Sequence, residues 1–127
     1  MRVLAQFIVL ACLAIALPAC GSKEGTDLAI SVKNGLGEHR YRLKCDPASG
    51  SVPRPAELCG LIRENEGLML PAPEAPSQVC VGGVLTPYIE IEGDFRGDAI
   101  HTVVSSCYGN VEGERLWLKL LPPPVGS

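Results

Sequence analysis

The chain has 127 residues and a formal net charge of −3, with 46% hydrophobic and 5% aromatic residues. This length suggests a single domain. The acidic balance and the scarcity of aromatic rings argue against a nucleic-acid-binding surface, which would need clustered basic side chains.

The first twenty residues have the pattern of an export signal. One arginine precedes an almost unbroken apolar run, which ends in Leu17-Pro18-Ala19-Cys20. A short basic start, an apolar stretch and small residues at its end are typical of a secretory signal, and Leu-x-Ala-Cys resembles the bacterial lipobox. This resemblance implies that residues 1–19 are removed and that Cys20 is acylated. The alternatives are an uncleaved membrane anchor, for which the run is short, and a plain secreted protein.

An acylated Cys20 carries more than one lipid chain, which gives stable attachment. We therefore expect an exported protein that is lipid-anchored to the bacterial cell envelope membrane. Residues 20–26 comprise the lipidated cysteine and a flexible tether of small and polar residues. Residues 27–121 form the folded domain, and residues 122–127 form a proline-rich tail.

Four cysteines remain after Cys12 leaves with the signal and Cys20 receives lipid: Cys45, Cys59, Cys80 and Cys107. An even number of cysteines in a small exported domain predicts two disulfides. Spacing alone leaves all three pairings open. No metal or other cofactor is expected, because no two of the four are separated by two residues and the chain has only two histidines.

The first part of the folded domain predicts two antiparallel strands. Apolar and other residues alternate over 28–33 and again over 41–45. Asn34-Gly35 between them is a turn signal, and the residues that follow predict a loop longer than two residues. The second strand would carry three basic side chains on one face, which we expect to be solvated and paired across to Glu90 and Glu92. These basic residues are Arg40, Arg42 and Lys44.

A short helix is predicted over residues 55–66. Pro55 suits the first turn of a helix, apolar residues then recur at helical spacing, and Gly67 is a plausible stop. This helix would cover one side of a sheet. Residues 71–79 contain three prolines and predict an exposed run that leads into Cys80.

The C-terminal part predicts three more strands. Alternation around Ile89 and Ile91, a turn at 96–97 and a return over 98–107 indicate a hairpin. The stretch 115–121 reads as a last strand that points three leucines inward: Leu116, Leu118 and Leu120. The predicted fold class is α+β, with about five antiparallel strands, one or two short helices packed on one face, and two disulfides.

The stretch CDPASGSVPRPAELC, residues 45–59, carries a resemblance to a known family. Its pattern Cys-x-Pro-x-Ser-Gly-x-x-Pro-x-Pro-x-x-x-Cys resembles that of the subtilisin inhibitor-like family, small secreted bacterial inhibitors of serine proteases. Residues 93–97, Gly-Asp-Phe-Arg-Gly, are similar to the family's Gly-x-Trp-x-Gly, with Phe95 in place of tryptophan. The resemblance covers roughly residues 27–120.

The resemblance implies disulfides Cys45–Cys59 and Cys80–Cys107. It also implies that the stretch after Cys80 is presented as an extended strand to a protease cleft, with the reactive carbonyl in the oxyanion hole. The partner would be a serine protease of the subtilisin-like or small-pocket type, and two copies of the chain could dimerise through the sheet. The first disulfide and its prolines would buttress the loop beside the reactive one.

The implied reactive loop comprises Val81, Gly82, Gly83 and Val84. The resemblance places the specificity residue at Gly82, or at Gly83 if the loop is shifted by one residue, and neither has a side chain. Three alternatives follow. The target has a closed or small specificity pocket, the reactive bond lies at Val84 or Leu85, or the fold serves as a non-inhibitory interaction module of a surface lipoprotein.

An enzyme is not expected. Ser51 lacks the Gly-x-Ser-x-Gly frame of a nucleophile elbow. His101 lies among apolar residues on a predicted strand, where a structural role is more common than a catalytic one. Asp94 and Asp98 flank a turn, where aspartate is ordinary.

Overall fold

The structure, a computed structural model, describes residues 25–72 and 83–125. The strands in chain order are β1 Thr26–Asn34, β2 Gly37–Cys45, β3 Ser49–Gly50, β4 Tyr88–Phe95 and β5 Asp98–Val104. The helices are α1 Pro55–Glu64, α2 Glu66–Met69 and α3 Val111–Leu120, with a 3-10 turn at Ser106–Tyr108.

The strands of the described residues form one antiparallel sheet in the order β3-β2-β1-β4-β5. Alternate residues of the central strands are fully buried, because one face of the sheet packs on the helices. The predicted α+β class and five-stranded sheet are confirmed. The buried residues of β1 and β4 are Leu28, Ile30, Val32, Ile89 and Ile91.

The β1–β2 turn is tighter than predicted. Asn34 pairs directly with Gly37, which leaves a loop of two residues, Gly35 and Leu36. The Asn34 side-chain oxygen accepts a hydrogen bond of 2.8 Å from the Leu36 N–H, so the side chain itself closes the turn. The expectation of a longer loop was therefore wrong.

The predicted helix is confirmed but ends earlier. The first ten residues form α1, and after Asn65 the single turn of α2 follows. Leu58 and Ile62 are the fully buried residues of α1, and they cover the sheet as the spacing predicted. Pro55 occupies the first turn, where its missing N–H removes no helical hydrogen bond.

The stretch predicted as a last strand is helix α3, so that prediction was wrong. Asn110 caps the helix, its side-chain oxygen accepting from the Gly113 N–H over 2.9 Å. Trp117 is fully buried, and its indole N–H donates to the Met69 carbonyl over 2.9 Å. Of the three leucines predicted to point inward, only Leu120 is buried. The residues that α3 and its end bury recur at helical spacing: Gly113, Trp117, Leu120 and Leu121.

The other face of the sheet is solvated, as predicted for its basic residues, but the predicted ion pairs were wrong. Strand β1 lies between β2 and β4, so the basic side chains of β2 cannot reach Glu90 or Glu92. Arg42 instead pairs with Asp27 on β1, with 2.9 Å between Nε and Oδ1. Glu90 contacts Lys33 and His101.

Several sequence predictions concern residues that lie outside those that the structure describes. These are the signal 1–19, the lipidated Cys20, and the stretch 73–82, which contains Cys80, Val81 and Gly82. Within residues 25–72 and 83–125, no helix is both long and apolar enough to cross a membrane.

Candidate functional site

The described part of the predicted reactive loop is an exposed turn that leads into β4. The Thr86 N–H donates to the Gly83 carbonyl over 3.0 Å, which closes a turn with Val84 and Leu85 at its centre. The side chains of Val84 and Leu85 are 64% and 66% exposed. The structure therefore brings Gly83 and Val84 to the surface on one short turn.

Two hydrogen bonds fix this turn and the residue after it to other parts of the fold. The Gly35 N–H donates to the Val84 carbonyl over 2.7 Å. The hydroxyl of Ser105 donates to the Pro87 carbonyl over 2.8 Å, and its oxygen also accepts from the Cys107 N–H over 3.2 Å. Ser105 is fully buried, so its hydroxyl is held in place by packing as well.

Gly35 approaches the turn so closely that no other residue fits without displacement. A Cβ at this position would lie 2.6 Å from Val84 Cγ1 and 2.9 Å from the Val84 carbonyl oxygen. The φ angle of Gly35 lies outside the left-handed region, so the requirement for glycine comes from this contact alone.

The C-terminal tail reaches the same end of the sheet. The side-chain amide of Asn34 donates to the Pro124 carbonyl over 2.9 Å. We call this region the loop end; it is defined by the Gly35-Leu36 turn, the Gly83–Thr86 turn and residues 122–125. Among the described residues, four exposed large apolar side chains lie here: Leu36, Val84, Leu85 and Val125.

The aromatic residues at the start of β4 add a partly buried support behind the turn. Tyr88 follows Pro87 and packs against Tyr108, with 6.1 Å between ring centroids. The Lys33 amine lies 5.3 Å from the centroid of the Tyr88 ring. Burial raises the pKa of the Tyr88 phenol, and neighbouring Tyr108 adds to that rise.

The Cys45–Cys59 disulfide implied by the resemblance is present, with 5.9 Å between the Cα atoms. It joins the end of β2 to α1, and Cys45 pairs with Thr26 at the start of β1. The Cys80–Cys107 disulfide stays a prediction, because Cys80 lies outside the described residues.

The position of this disulfide contradicts its expected role. Thr26 and Asn34 are the first and last of the nine residues of β1, and they lie about 27 Å apart at the usual rise of a strand. The bridge therefore lies at the opposite end of the sheet from the Gly83–Thr86 turn, and it does not buttress a loop beside that turn. The Gly35-Leu36 turn occupies that place instead.

The polar residues considered for catalysis are not brought together. The Ser51 hydroxyl accepts from the Arg42 N–H over 2.8 Å, beside β2. His101 lies on the open face of β5, 3.3 Å from Glu90. Three strand spacings separate β2 from β5, about 14 Å. Within the residues that the structure describes, no group of three or more His, Cys, Asp or Glu side chains could hold a metal ion.

The sequence patterns did not reveal Gly35 or Ser105 as supports of the candidate loop. Asn34-Gly35 was recognised as a turn, but its contact with Val84 joins residues far apart in the chain. A serine at the end of a strand carries no local signal of such a role.

Comparison with known proteins gives a likeness to a solved structure. No family model matches the chain, and no curated protein matches it. The chain is similar to a chain in the crystal structure of Streptomyces caespitosus sermetstatin in complex with Bacillus licheniformis subtilisin. The TM-score is 0.49 and the sequence identity 22%, over 72% of this chain and 92% of the other.

Proposed function

We propose that this protein inhibits a serine protease by offering residues 81–84 to the protease cleft as a substrate would. The observation that carries the proposal is the exposed Gly83–Thr86 turn, which Gly35 holds through the Val84 carbonyl and Ser105 holds through the carbonyl of the following Pro87. A loop already fixed in this way loses little conformational entropy when it binds. The resemblance of residues 45–59 and 93–97 to the subtilisin inhibitor-like family supports the same function.

The hydrogen bonds of the turn favour Gly82 as the reactive residue. A reactive carbonyl must point out of the inhibitor to enter the oxyanion hole of the protease. The carbonyls of Gly83 and Val84 already accept hydrogen bonds from Thr86 and Gly35 and point back into the protein. Leu85 is central in a turn and does not offer extended backbone. These constraints support cleavage after Gly82 rather than after Gly83, Val84 or Leu85.

A glycine at the specificity position limits the choice of target. A large side chain buried in the protease pocket would contribute about 1.5 to 3 kcal/mol, and Gly82 contributes none of this. The proposed target is therefore a serine protease whose specificity pocket is small or closed. Slow cleavage is expected because rigid packing holds the new chain ends in place and favours religation.

The proposal includes a lipid anchor at Cys20, on the cell envelope membrane. Strand β1 begins at Thr26, six positions beyond Cys20. Thr26 lies at the end of the sheet opposite the loop end. A tether at Cys20 would thus hold the loop end away from the membrane surface, where a soluble protease can reach it.

A protease titration tests this function. Residues 21–127 would be titrated against serine proteases with small and with large specificity pockets. We expect stoichiometric loss of activity for a small-pocket enzyme, with a single slow nick after Gly82. Gly82→Met should extend inhibition to large-pocket subtilisin-like enzymes, whereas Gly60→Met on α1, where an added Cβ meets nothing within 4 Å, should not. If neither the native chain nor Gly82→Met inhibits any enzyme at micromolar concentration, the protein is a non-inhibitory module and the proposal is wrong.

A further inference from the structure

We infer that Val84, Leu85 and Leu36 supply the apolar contact with the protease that Gly82 cannot supply, and that Gly35 is the residue that positions them. The inference rests on the proposed function. It commits to a partner protease with an apolar surface on the leaving-group side of its cleft, the side that binds residues after the cleaved bond.

Exposed apolar side chains lie close to the proposed cleavage site. With cleavage after Gly82, Val84 and Leu85 are the second and third residues on the leaving-group side. Both are more than half exposed although they belong to a turn with fixed backbone hydrogen bonds. Leu36, which follows Gly35 directly, is 47% exposed. Single exposed apolar residues are common, but a contiguous group on a rigid loop is typical of a contact surface.

The contact between Gly35 and Val84 orients the turn that carries these side chains. It fixes the Val84 carbonyl toward the β1–β2 turn and seats Val84 Cγ1 against Gly35, while the Val84 and Leu85 side chains stay 64% and 66% exposed. The same contact brings Leu36 beside them, because Gly35 and Leu36 form one two-residue loop. The hairpin thus sets both the orientation of the turn and the composition of the surface around it.

The absence of a specificity side chain leaves the apolar contact to other residues. A few side chains buried in the centre of an interface contribute most of its affinity, and burying a Val or Leu side chain contributes about 1.5 to 3 kcal/mol. Gly82 and Gly83 provide no such group, whereas the two residues that follow them do. The exposed large apolar side chains elsewhere in the described chain, Leu68 and Val111, belong to helices α2 and α3 rather than to this surface.

Inhibition constants of surface variants test the inference with the full mature chain. Leu85→Ser and Leu36→Ser should each raise the inhibition constant for the small-pocket protease, Leu85→Ser by about 10- to 100-fold. The matched control is Leu68→Ser, which replaces a leucine that is 43% exposed and should leave the constant unchanged. All three side chains are exposed, so the thermal unfolding midpoints should stay close to the native value.

Gly35→Ala tests the positioning role separately. The added methyl group must displace Val84, so the reactive bond should be hydrolysed faster while the specificity for the residue before that bond is retained. The matched control is Gly60→Ala, where a Cβ meets nothing within 4 Å. The rate of the nick after Gly82, measured by mass spectrometry, would not change if Gly35 served only the stability of the hairpin.

The outcomes separate this inference from the function on which it rests. If the native chain inhibits a protease but the Leu85, Leu36 and Gly35 variants all match their controls, the inference is overturned and the function stands. If the native chain inhibits nothing, both are overturned. If Gly35→Ala fails to fold, the two leucine variants decide the result.

Discussion

The backbone N–H of Gly35 and the carbonyl of Val84 form a 2.7 Å hydrogen bond just beyond the last pair of the β1–β4 ladder, Lys33 with Tyr88. The bond extends the contact between these two strands into the loop that precedes β4. The hairpin turn therefore holds the candidate loop in place through this hydrogen bond. A loop with this support keeps its shape without a partner, which a substrate-like inhibitor requires.

Removing the disulfide should weaken the fold without weakening inhibition. The double variant Cys45→Ala, Cys59→Ala opens a loop with a sequence separation of 14, for which we expect a loss of about 3 kcal/mol in the free energy of unfolding. The inhibition constant should stay unchanged, because the bridge lies at the far end of the sheet. Urea unfolding measures the free energy of unfolding and protease titration measures the inhibition constant on the same sample. A variant that keeps the native stability but has a higher inhibition constant would contradict the prediction.

The indole of Trp117 should be important for stability. Trp117→Phe removes the donor to the Met69 carbonyl, which stays buried without a partner. We expect a loss of about 1 to 3 kcal/mol in the free energy of unfolding. Circular dichroism should monitor the unfolding, because the chain contains a single tryptophan and the variant has no tryptophan fluorescence. Arg115→Ala, an exposed change on the same helix, should cost less than about 0.5 kcal/mol. Equal effects of the two changes would show that the indole contact contributes nothing.

Much of the fold follows from local sequence patterns, and the exception has a physical reason. Alternation predicted β1, β2 and β4, and the turn at 96–97 predicted the return strand β5. The same rule failed at 115–121, where the leucines alternate by coincidence. The signals that favoured a helix there were Asn110 as an N-cap and the spacing of Gly113 from Trp117. They were outweighed because glycine and asparagine also mark turns.

The candidate site could be predicted only in part. The family resemblance of residues 45–59 implied the correct disulfide, whereas the spacing of the cysteines alone left all three pairings open. The supports of the candidate loop come from Gly35 and Ser105, which reach it only through the tertiary fold. A sequence pattern that spans only a few residues cannot predict contacts between residues far apart in the chain. For that reason, the disulfide was assigned a buttressing role that belongs to the β1–β2 turn.

The Asp27–Arg42 pair predicts a small dependence of stability on pH. The Arg42 hydrogen bond holds the pKa of Asp27 below its ordinary value of 3.8. The contribution of the pair is therefore complete above pH 3.8 and is lost as the pH falls through the lowered pKa of the folded state. Because 61% of the Arg42 side chain and 36% of the Asp27 side chain are accessible, solvent screens the pair and we expect only a small contribution to stability.

The measurement for this pair is urea unfolding of the native chain and of Asp27→Asn at several pH values. The two should differ at pH 7 and converge at low pH, where the native carboxylate is also protonated. Asp98→Asn, on the exposed start of β5, serves as the control for removing a carboxylate. A difference that persists unchanged at low pH would mean that the amide disturbs packing, and it would contradict the electrostatic explanation.

The position of the proposed lipid tether relative to the loop end predicts how membrane attachment affects the proposed inhibition. Strand β1 starts at the end of the sheet far from the candidate loop, whereas Pro124 of the tail is hydrogen-bonded to Asn34 at the loop end. Vesicles that carry the chain acylated at Cys20 should therefore bind protease as fast as the soluble chain does. A chain attached instead through a lipid coupled after Ser127 should hold the loop end against the bilayer and bind more slowly. Stopped-flow association rates compare the three forms at equal protein concentration. Equal rates for both attachments would mean that the tether does not orient the domain, and slower binding through Cys20 alone would place the protease-binding surface at the opposite end of the sheet.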